Sequence, residues 1–367
     1  MRVLIVKRDK LGDLLLTTPV LRHLAEMRPD AEVHLLANDY NAWVARGHAA
    51  IARVWTYPRV RDGRRLRPFA ALAQIPIGLA LRRQHFDAAI VMGGDESPRA
   101  IRRTLLVGAS RVVAYAHDPA RYGRRLTDAL PVPAAGHEVD RMMALLTPLG
   151  IAAPDRASHP EYALPQGDAA FARAWLRERG LDASRYVVLG LGARKAKKQP
   201  STAQILRWSE RLWRERGLST VFMWTPGARD ADRYPGDDDI AAPVLAEALP
   251  YVHPFRGPIP HALGLMFHAR TSIVPDSGLM HFAAASPGGV LGLFADPADS
   301  APAARWAPRG ARATWLEADK RVSDLTDAVV FEALEPLLGP RAERLTGSGD
   351  GAPVAAVMPR PGDGQPD

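Results

Sequence analysis

Three short stretches carry residues whose types and spacing could do chemistry. The first is Lys7-Arg8-Asp9-Lys10-Leu11-Gly12-Asp13. It follows an apolar run and leads into a segment of helical periodicity. A carboxylate fixed at a cleft can take a proton from an attacking hydroxyl, so Asp13 is a candidate general base. The same position suits an ordinary helix N-cap. The second stretch is Pro275-Asp276-Ser277-Gly278-Leu279-Met280-His281. Backbone N–H groups at a helix start can bind phosphate, and Gly278 would let a ligand approach closely. His281, one turn further on, could face the same ligand. A capped turn with a buried histidine is the alternative. The third, Gly190-Leu191-Gly192 running through Arg194, Lys195, Lys197 and Lys198 to Gln199-Pro200, places cations between a strand and a helix. Lysines there could neutralise a diphosphate as point charges, or simply form an exposed basic loop.

Weaker candidates follow. Asp230 and Asp232 come after Thr225-Pro226-Gly227 at another strand end, where either could reach a ligand or start a helix. Asp237-Asp238-Asp239 could bind a metal or form a solvated loop. The dinucleotide fingerprint GxGxxG is absent, as are GxSxG, HExxH and a Walker loop. The chain has no cysteine, which excludes disulfides, thiolate metal sites and a cysteine nucleophile.

The elements that must position these residues alternate strand and helix. An apolar strand spans 2–8, and a helix from Gly12 to about Pro29 puts Leu14, Thr18, Leu21 and Ala25 on one face. Strands at 32–37, 52–57, 86–92 and 111–115 alternate with helices around 41–48, 69–83 and 137–149. Residues 150–167 are rich in Pro and Ala and read as a linker. The pattern then restarts, with strands at 186–191, 220–224, 271–274, 290–294 and 313–316 and helices between. Two successive arrays of this kind predict two doubly wound α/β domains with parallel sheets and a ligand site in the cleft between them.

The chain has 367 residues, more than one core usually supports. No apolar run is long enough to span a membrane, and the opening run is too short for a signal-peptide core. With the missing cysteines, this points to the cytoplasm. The net charge of +8 lies wholly in residues 1–165, with 24 basic and 16 acidic residues; the remainder is balanced at 24 and 24. Such a field attracts an anionic partner: a phosphorylated or carboxylated substrate, a membrane surface or nucleic acid; a solvated arginine-rich surface is the alternative. No nucleic-acid-binding motif accompanies it.

Together these segments resemble glycosyltransferase family 9, the ADP-heptose:lipopolysaccharide heptosyltransferases. The resemblance covers residues 1–340 and rests on MRVLIVKRDKLGDLLLTTPVLRHL, GHEVDRMMALLTPLGI, GLGARKAKKQP, PDSGLMHFAAA and GVLGLFADPADSAPAARWAPRG. It implies a GT-B fold: two facing Rossmann-like domains, an acceptor-binding one at 1–160 and a nucleotide-sugar-binding one at 168–340. Beyond it, the Gly/Pro-rich composition of 346–367 reads as a disordered tail. It implies inverting transfer from a nucleotide sugar, typically ADP-heptose, with neither bound metal nor cofactor. Asp13 matches the family's base. Asp276, Ser277, Gly278, Leu279 and His281 match the loop around the donor's sugar and diphosphate. Lys197 matches a donor-phosphate lysine, with Lys195 and Lys198 as neighbours in register. Asp230 or Asp232 would stand in for a nucleoside-binding glutamate, and Gln199 replaces a tryptophan. Lys7, Lys10 and Gly12 are expected on the acceptor side. The expected acceptor is anionic, with the lipopolysaccharide inner core foremost, and peripheral contact with the inner membrane is part of this expectation. A nucleotide-sugar epimerase of similar fold, a transferase acting on a small metabolite or protein, and a non-catalytic sugar-nucleotide binder are the alternatives.

Overall fold

The computed structural model describes residues 1–62, 65–155, 158–193, 195–228, 230, 236–298 and 302–340. Asp232 and the tail from Thr346 lie outside the described residues.

Two six-stranded sheets organise the chain, and every pairing within them is parallel. The first contains β1 (Arg2–Val6), β2 (Glu32–Asn38), β3 (Arg53–Tyr57), β4 (Ala88–Val91), β5 (Arg111–Tyr115) and β6 (Asp128–Leu130), in the order β3-β2-β1-β4-β5-β6. The second contains β7 (Tyr186–Gly190), β8 (Ser219–Met223), β9 (Val252–Phe255), β10 (Thr271–Pro275), β11 (Val290–Phe294) and β12 (Ala313–Glu317), in the order β9-β8-β7-β10-β11-β12. The central strands read as unbroken apolar runs because both of their faces are covered. Val3, Leu4, Ile5 and Val6 are all buried, as are all five residues of β7. Ile5 pairs with Leu35 on one side and Ile90 on the other, and Val188 sits between Val221 and Ser272.

In each sheet the order reverses beside the central strand, between β1 and β4 and between β7 and β10. A crevice opens at the carboxyl ends of strands at such a switch point. The chain segment after β1 is Lys7–Asp13, and the segment after β10 begins at Asp276. The same topological position therefore carries the two most prominent sequence motifs, one per sheet.

The halves share a core. One hydrophobic cluster contains Val3, Ile5 and Met142 together with Val188, Val274 and Phe282. At the seam, Trp43 stacks on Phe282 with centroids 6.1 Å apart, and Tyr162 sets its edge against Phe282 at 5.1 Å and Phe267 at 5.7 Å. Residues 150–165 contain no helix or strand among those described, yet they are fastened: the Ala152 carbonyl meets His23 Nε2 at 2.8 Å, and the Glu161 N–H donates to Thr18 Oγ1 at 2.9 Å.

Several elements differ from the sequence-based expectation. The first helix is two, Leu11–Leu15 and Thr18–Met27. Pro19 has no N–H to continue the ladder, so the chain turns at Leu16–Thr17 and restarts. The 41–48 helix shortens to a 3-10 turn at Ala42–Ala45, and the 69–83 helix divides into Pro68–Leu72 and Gln74–Arg82. Two strands of the six-stranded sheets were not foreseen, nor was the short antiparallel pair Arg61–Asp62 and Arg65–Leu66. β6 is three residues long, and β9 contains Pro254, which a sheet tolerates at its edge.

Candidate active site

Asp13 sits at the third position of the Leu11–Leu15 helix, and its Oδ2 accepts the Lys10 backbone N–H at 2.9 Å. The cap reading and the catalytic reading are therefore compatible: the helix start fixes the carboxylate. Burial raises the Asp13 pKa above the ordinary carboxylate value. The Lys7 ammonium opposes that shift, and Asp9 and Glu138 add to it. A raised pKa makes Asp13 a stronger base, which suits proton abstraction.

Lys7 is 1% exposed, and its Nζ lies 3.1 Å from Asp9 Oδ2. Burial works against its charge, but the fields of Asp9, Asp13 and Glu138 outweigh this and hold its pKa above the usual lysine value. Lys7 is thus a permanent buried cation beside Asp13. The loop that follows is held from β2 and the turn after it: Asn38 Nδ2 donates to the Arg8 carbonyl at 2.7 Å, and Asn41 Nδ2 to the Asp9 carbonyl at 3.0 Å. Lys10 is exposed at the helix start.

Above these residues lies a cavity of about 540 Å³ between the ends of β1, β2 and β4, lined by Lys7, Asp13, Asn38, Gly94 and Glu138 among others. Two lining residues, Arg305 and Trp306, come from the other half of the chain. Glu138 is 3% exposed; it accepts the Gly94 N–H at 2.8 Å and the Arg305 guanidinium at 2.9 Å. Next to this pair, Arg309 engages Asp140, and His137 Nε2 meets the Ala307 carbonyl at 2.9 Å. Burial depresses the His137 pKa to about 4, so the ring is neutral at pH 7; the Ala307 hydrogen bond counters this only in part.

The second motif meets the first. A methyl group placed on Gly12 would lie 2.8 Å from Gly278 Cα and 3.1 Å from His281 Cδ2. The short helices Leu11–Leu15 and Gly278–Ala284 therefore touch through two glycines, backbone against backbone. Gly12 is a seam residue here, packed against Gly278 and absent from the cavity lining. His281 is buried, and burial lowers its pKa to about 4 against the opposing fields of Asp276 and Glu138. Its Nδ1 and the Ser277 Oγ are buried and find no hydrogen-bond partner among the described residues. Leu279 packs toward the end of β7, where a methyl on Gly192 would be 3.6 Å from its Cδ1.

In the basic loop, Lys198 forms an ion pair with Asp276, both largely buried, while Lys197 is half-buried and Lys195 exposed. The 3-10 turn Ala196–Lys198 directs the third lysine of the loop at the Asp276 motif. Gln199 closes the loop onto the acidic stretch: its Nε2 donates to Leu191 O, Ala193 O and Asp237 Oδ1. Asp237 also accepts the Thr225 N–H, and Asp238 accepts Trp224 Nε1 and the Gly227 N–H. Two of the three consecutive aspartates thus hold loops in place. Asp230 is exposed after β8. Among the described residues no group of three or more His, Asp or Glu side chains is placed to hold a metal ion.

Sequence reasoning overlooked Asn38, Asn41, Glu138 and Arg305 as parts of the site. Glu138 and Arg305 lie within the quoted stretches GHEVDRMMALLTPLGI and GVLGLFADPADSAPAARWAPRG without being singled out; Asn38 and Asn41 lie in neither.

Comparisons with known proteins bear on the family and the fold. The family described as glycosyltransferase family 9 (heptosyltransferase) matches residues 76–324, more than half of the chain. A lipopolysaccharide heptosyltransferase 1 from Pseudomonas aeruginosa is 27% identical over 312 residues, 80% of this chain and 78% of that protein. The fold is shared with a glycosyl transferase family 9 protein from Veillonella parvula (TM-score 0.75, 18% identity, 92% of this chain and 97% of that one). It is shared equally with E. coli heptosyltransferase WaaC solved with ADP (TM-score 0.70, 20% identity, 92% of this chain and 100% of that one). These matches do not favour an epimerase. With two parallel six-stranded sheets and motif-bearing strand ends in contact, the chain is a GT-B glycosyltransferase and belongs to family 9.

Proposed function

We propose that this enzyme transfers a heptose or related sugar, with inversion, from an ADP-sugar to a hydroxyl of an anionic acceptor, the lipopolysaccharide inner core foremost. The reaction is a single displacement. The acceptor oxygen attacks the anomeric carbon, the bond from that carbon to the diphosphate oxygen breaks, and Asp13 takes the hydroxyl proton. Lys198, paired with Asp276, replaces Lys197 as the favoured cation for the departing diphosphate. Asp276, Ser277, Gly278, Leu279 and His281 position the donor. Lys7 keeps Asp13 ionised, and Lys10 lies at the acceptor entrance. Asp230 is assigned to the nucleoside. No metal takes part, so transfer should persist in EDTA.

The observation that carries this reading is the glycine contact. It sets Asp13, at the end of β1, beside the Gly278 turn at the end of β10. Asp13→Asn should lower kcat about 10²–10⁴-fold. The rise in melting temperature produced by ADP should survive the substitution, since the base does not hold the nucleotide. Near-normal transfer by Asp13→Asn would remove the base from the scheme. Release of a converted sugar nucleotide in the absence of any acceptor would favour an epimerase instead.

A further inference from the structure

Arg305 comes from the second half of the chain and ends beside the charges that surround Asp13. Its Nε donates to Glu138 Oε2 at 2.9 Å, and another guanidinium nitrogen lies 3.6 Å from Asp95 Oδ2. The contact belongs to a built seam: Arg305, Ala307 and Arg309 meet Glu138, His137 and Asp140 through two ion pairs and a hydrogen bond. Glu138 Oε1 is taken by the Gly94 N–H, and Arg305 supplies the one ion pair of Glu138 among the described residues. Lys7 stands at the same loop. A methyl on Gly93 would lie 4.0 Å from Lys7 Nζ, and one on Gly94 would lie 2.8 Å from the Glu138 carboxyl carbon. Lys7 feels the fields of Asp9, Asp13 and Glu138, and Asp13 feels those of Lys7, Asp9 and Glu138. Other polar groups around Asp13 are engaged or uncharged. Lys10 meets it through its backbone N–H, and Arg141 is turned onto the Gly94 and Gly136 carbonyls. His281, across the glycine contact, is neutral at pH 7.

A carboxylate buried this deeply and stripped of its cation is costly, and it draws any cation within reach. Lys7 is such a cation: a flexible stem, 1% exposed, already in the field of Glu138. Without Arg305, Asp9, Asp13 and Glu138 would compete for one ammonium. A like charge nearby, with no cation between, disfavours the ionised form of a carboxylate. We infer that Arg305 is a positioning residue for the base: by neutralising Glu138 from across the seam it leaves Lys7 to Asp13, so that proton abstraction depends on engagement of the two halves. This rests on Asp13 as the base of the proposed transfer.

The test is the pH profile of kcat/KM, followed as ADP released from ADP-heptose with an inner-core oligosaccharide as acceptor, because its acidic limb reports the base of the free enzyme. Arg305→Gln should move that limb to higher pH by about one unit or more. Arg305→Lys, which keeps the charge, should leave it near the wild-type position. Glu138→Gln/Arg305→Gln should bring it back, since the amide oxygen can still accept the Gly94 N–H and no charge is left to compete for Lys7. Arg309→Gln opens the neighbouring ion pair, whose Asp140 is not among the larger fields on Asp13, and should leave the limb in place. If Arg305→Gln does not fold, Glu138→Gln alone serves: its limb should not rise. The inference is overturned by an unmoved limb in Arg305→Gln, by a limb equally displaced in Arg305→Lys, Arg309→Gln or the double variant, or by a raised limb in Glu138→Gln. Near-normal transfer by Asp13→Asn would remove the base itself; an inactive Asp13→Asn beside an unmoved Arg305→Gln limb would remove only the role of Arg305.

Discussion

Gly12→Ala tests the seam directly. The added methyl would lie 2.8 Å from Gly278 Cα, 3.1 Å from His281 Cδ2 and 3.4 Å from the Gly278 carbonyl oxygen. Carbon atoms pack at about 3.5–4.0 Å, so the Gly278 backbone must recede by about 0.7–1.2 Å. Such overpacking costs about 1–3 kcal/mol, of which the better helix propensity of alanine offsets up to about 1 kcal/mol. A fall of a few degrees in melting temperature is expected. The larger effect is on rate. Asp13, the proposed base, is the next residue, and displacing a catalytic group by about 1 Å can cost about 10²-fold. The assay is kcat/KM for transfer alongside thermal denaturation. Gly278→Ala is the control for stability: its methyl would meet Gly12 N at 3.3 Å and Gly12 Cα at 3.7 Å, which a slight shift accommodates. Full stability and full activity in Gly12→Ala would refute the close approach of the two helices. Equal destabilisation by both substitutions would refute the asymmetry of the contact.

Acid should weaken the seam. His137 and His281 have folded pKa values of about 4 because burial disfavours their charged forms. The unfolded chain therefore binds more protons between about 6.5 and 4, and stability falls as pH drops through that window, by up to about 3 kcal/mol per ring. A melting temperature that stays flat from pH 7 to 4.5 would contradict this, and His281→Gln should remove part of the loss. Lys7→Met should move the acidic limb of kcat/KM to higher pH, since the Lys7 charge holds the Asp13 pKa down against burial; a limb moving downward would reverse the assignment. Lys198→Ala should weaken ADP binding, followed by isothermal calorimetry, more than Lys197→Ala does, and the opposite order would return the phosphate to Lys197.

How far the sequence could be read depended on how local each signal was. β1 and β7 were legible because strands covered on both faces are written as continuous apolar runs. β9 was not, because Pro254 and half-exposed neighbours remove that signature at a sheet edge. The Pro98–Leu105 helix escaped notice because it carries three arginines and buries only Ala100, Ile101 and Thr104. The same contrast holds in the site. Asp13 and the Gly278 turn were legible as candidates because each lies in a compact motif at a strand end. Glu138 and Arg305 were not, because their pairing joins residues 167 apart and neither segment shows it alone. The lysine register was ambiguous for a related reason. Three lysines in four positions are equivalent on paper, and only the turn at Ala196–Lys198 decides which one reaches Asp276.

The sequence also suggested that the basic half would hold an anionic acceptor, and the cavity refines where that can happen. Its ionisable lining is balanced: Lys7, Arg8, Lys10, Arg59 and Arg305 face Asp9, Asp13, Asp95, Glu96 and Glu138. The +8 excess therefore resides outside the cavity, on arginines such as Arg82, Arg83, Arg99 and Arg102 that are exposed to solvent. A phosphate driven against Arg305 would displace Glu138, at the cost of leaving a carboxylate that is 3% exposed without its cation. A neutral hydroxyl carries no such penalty. For the anionic acceptor proposed above, this charge distribution would take a neutral reacting end into the cavity and leave the anionic remainder to the basic surface around it.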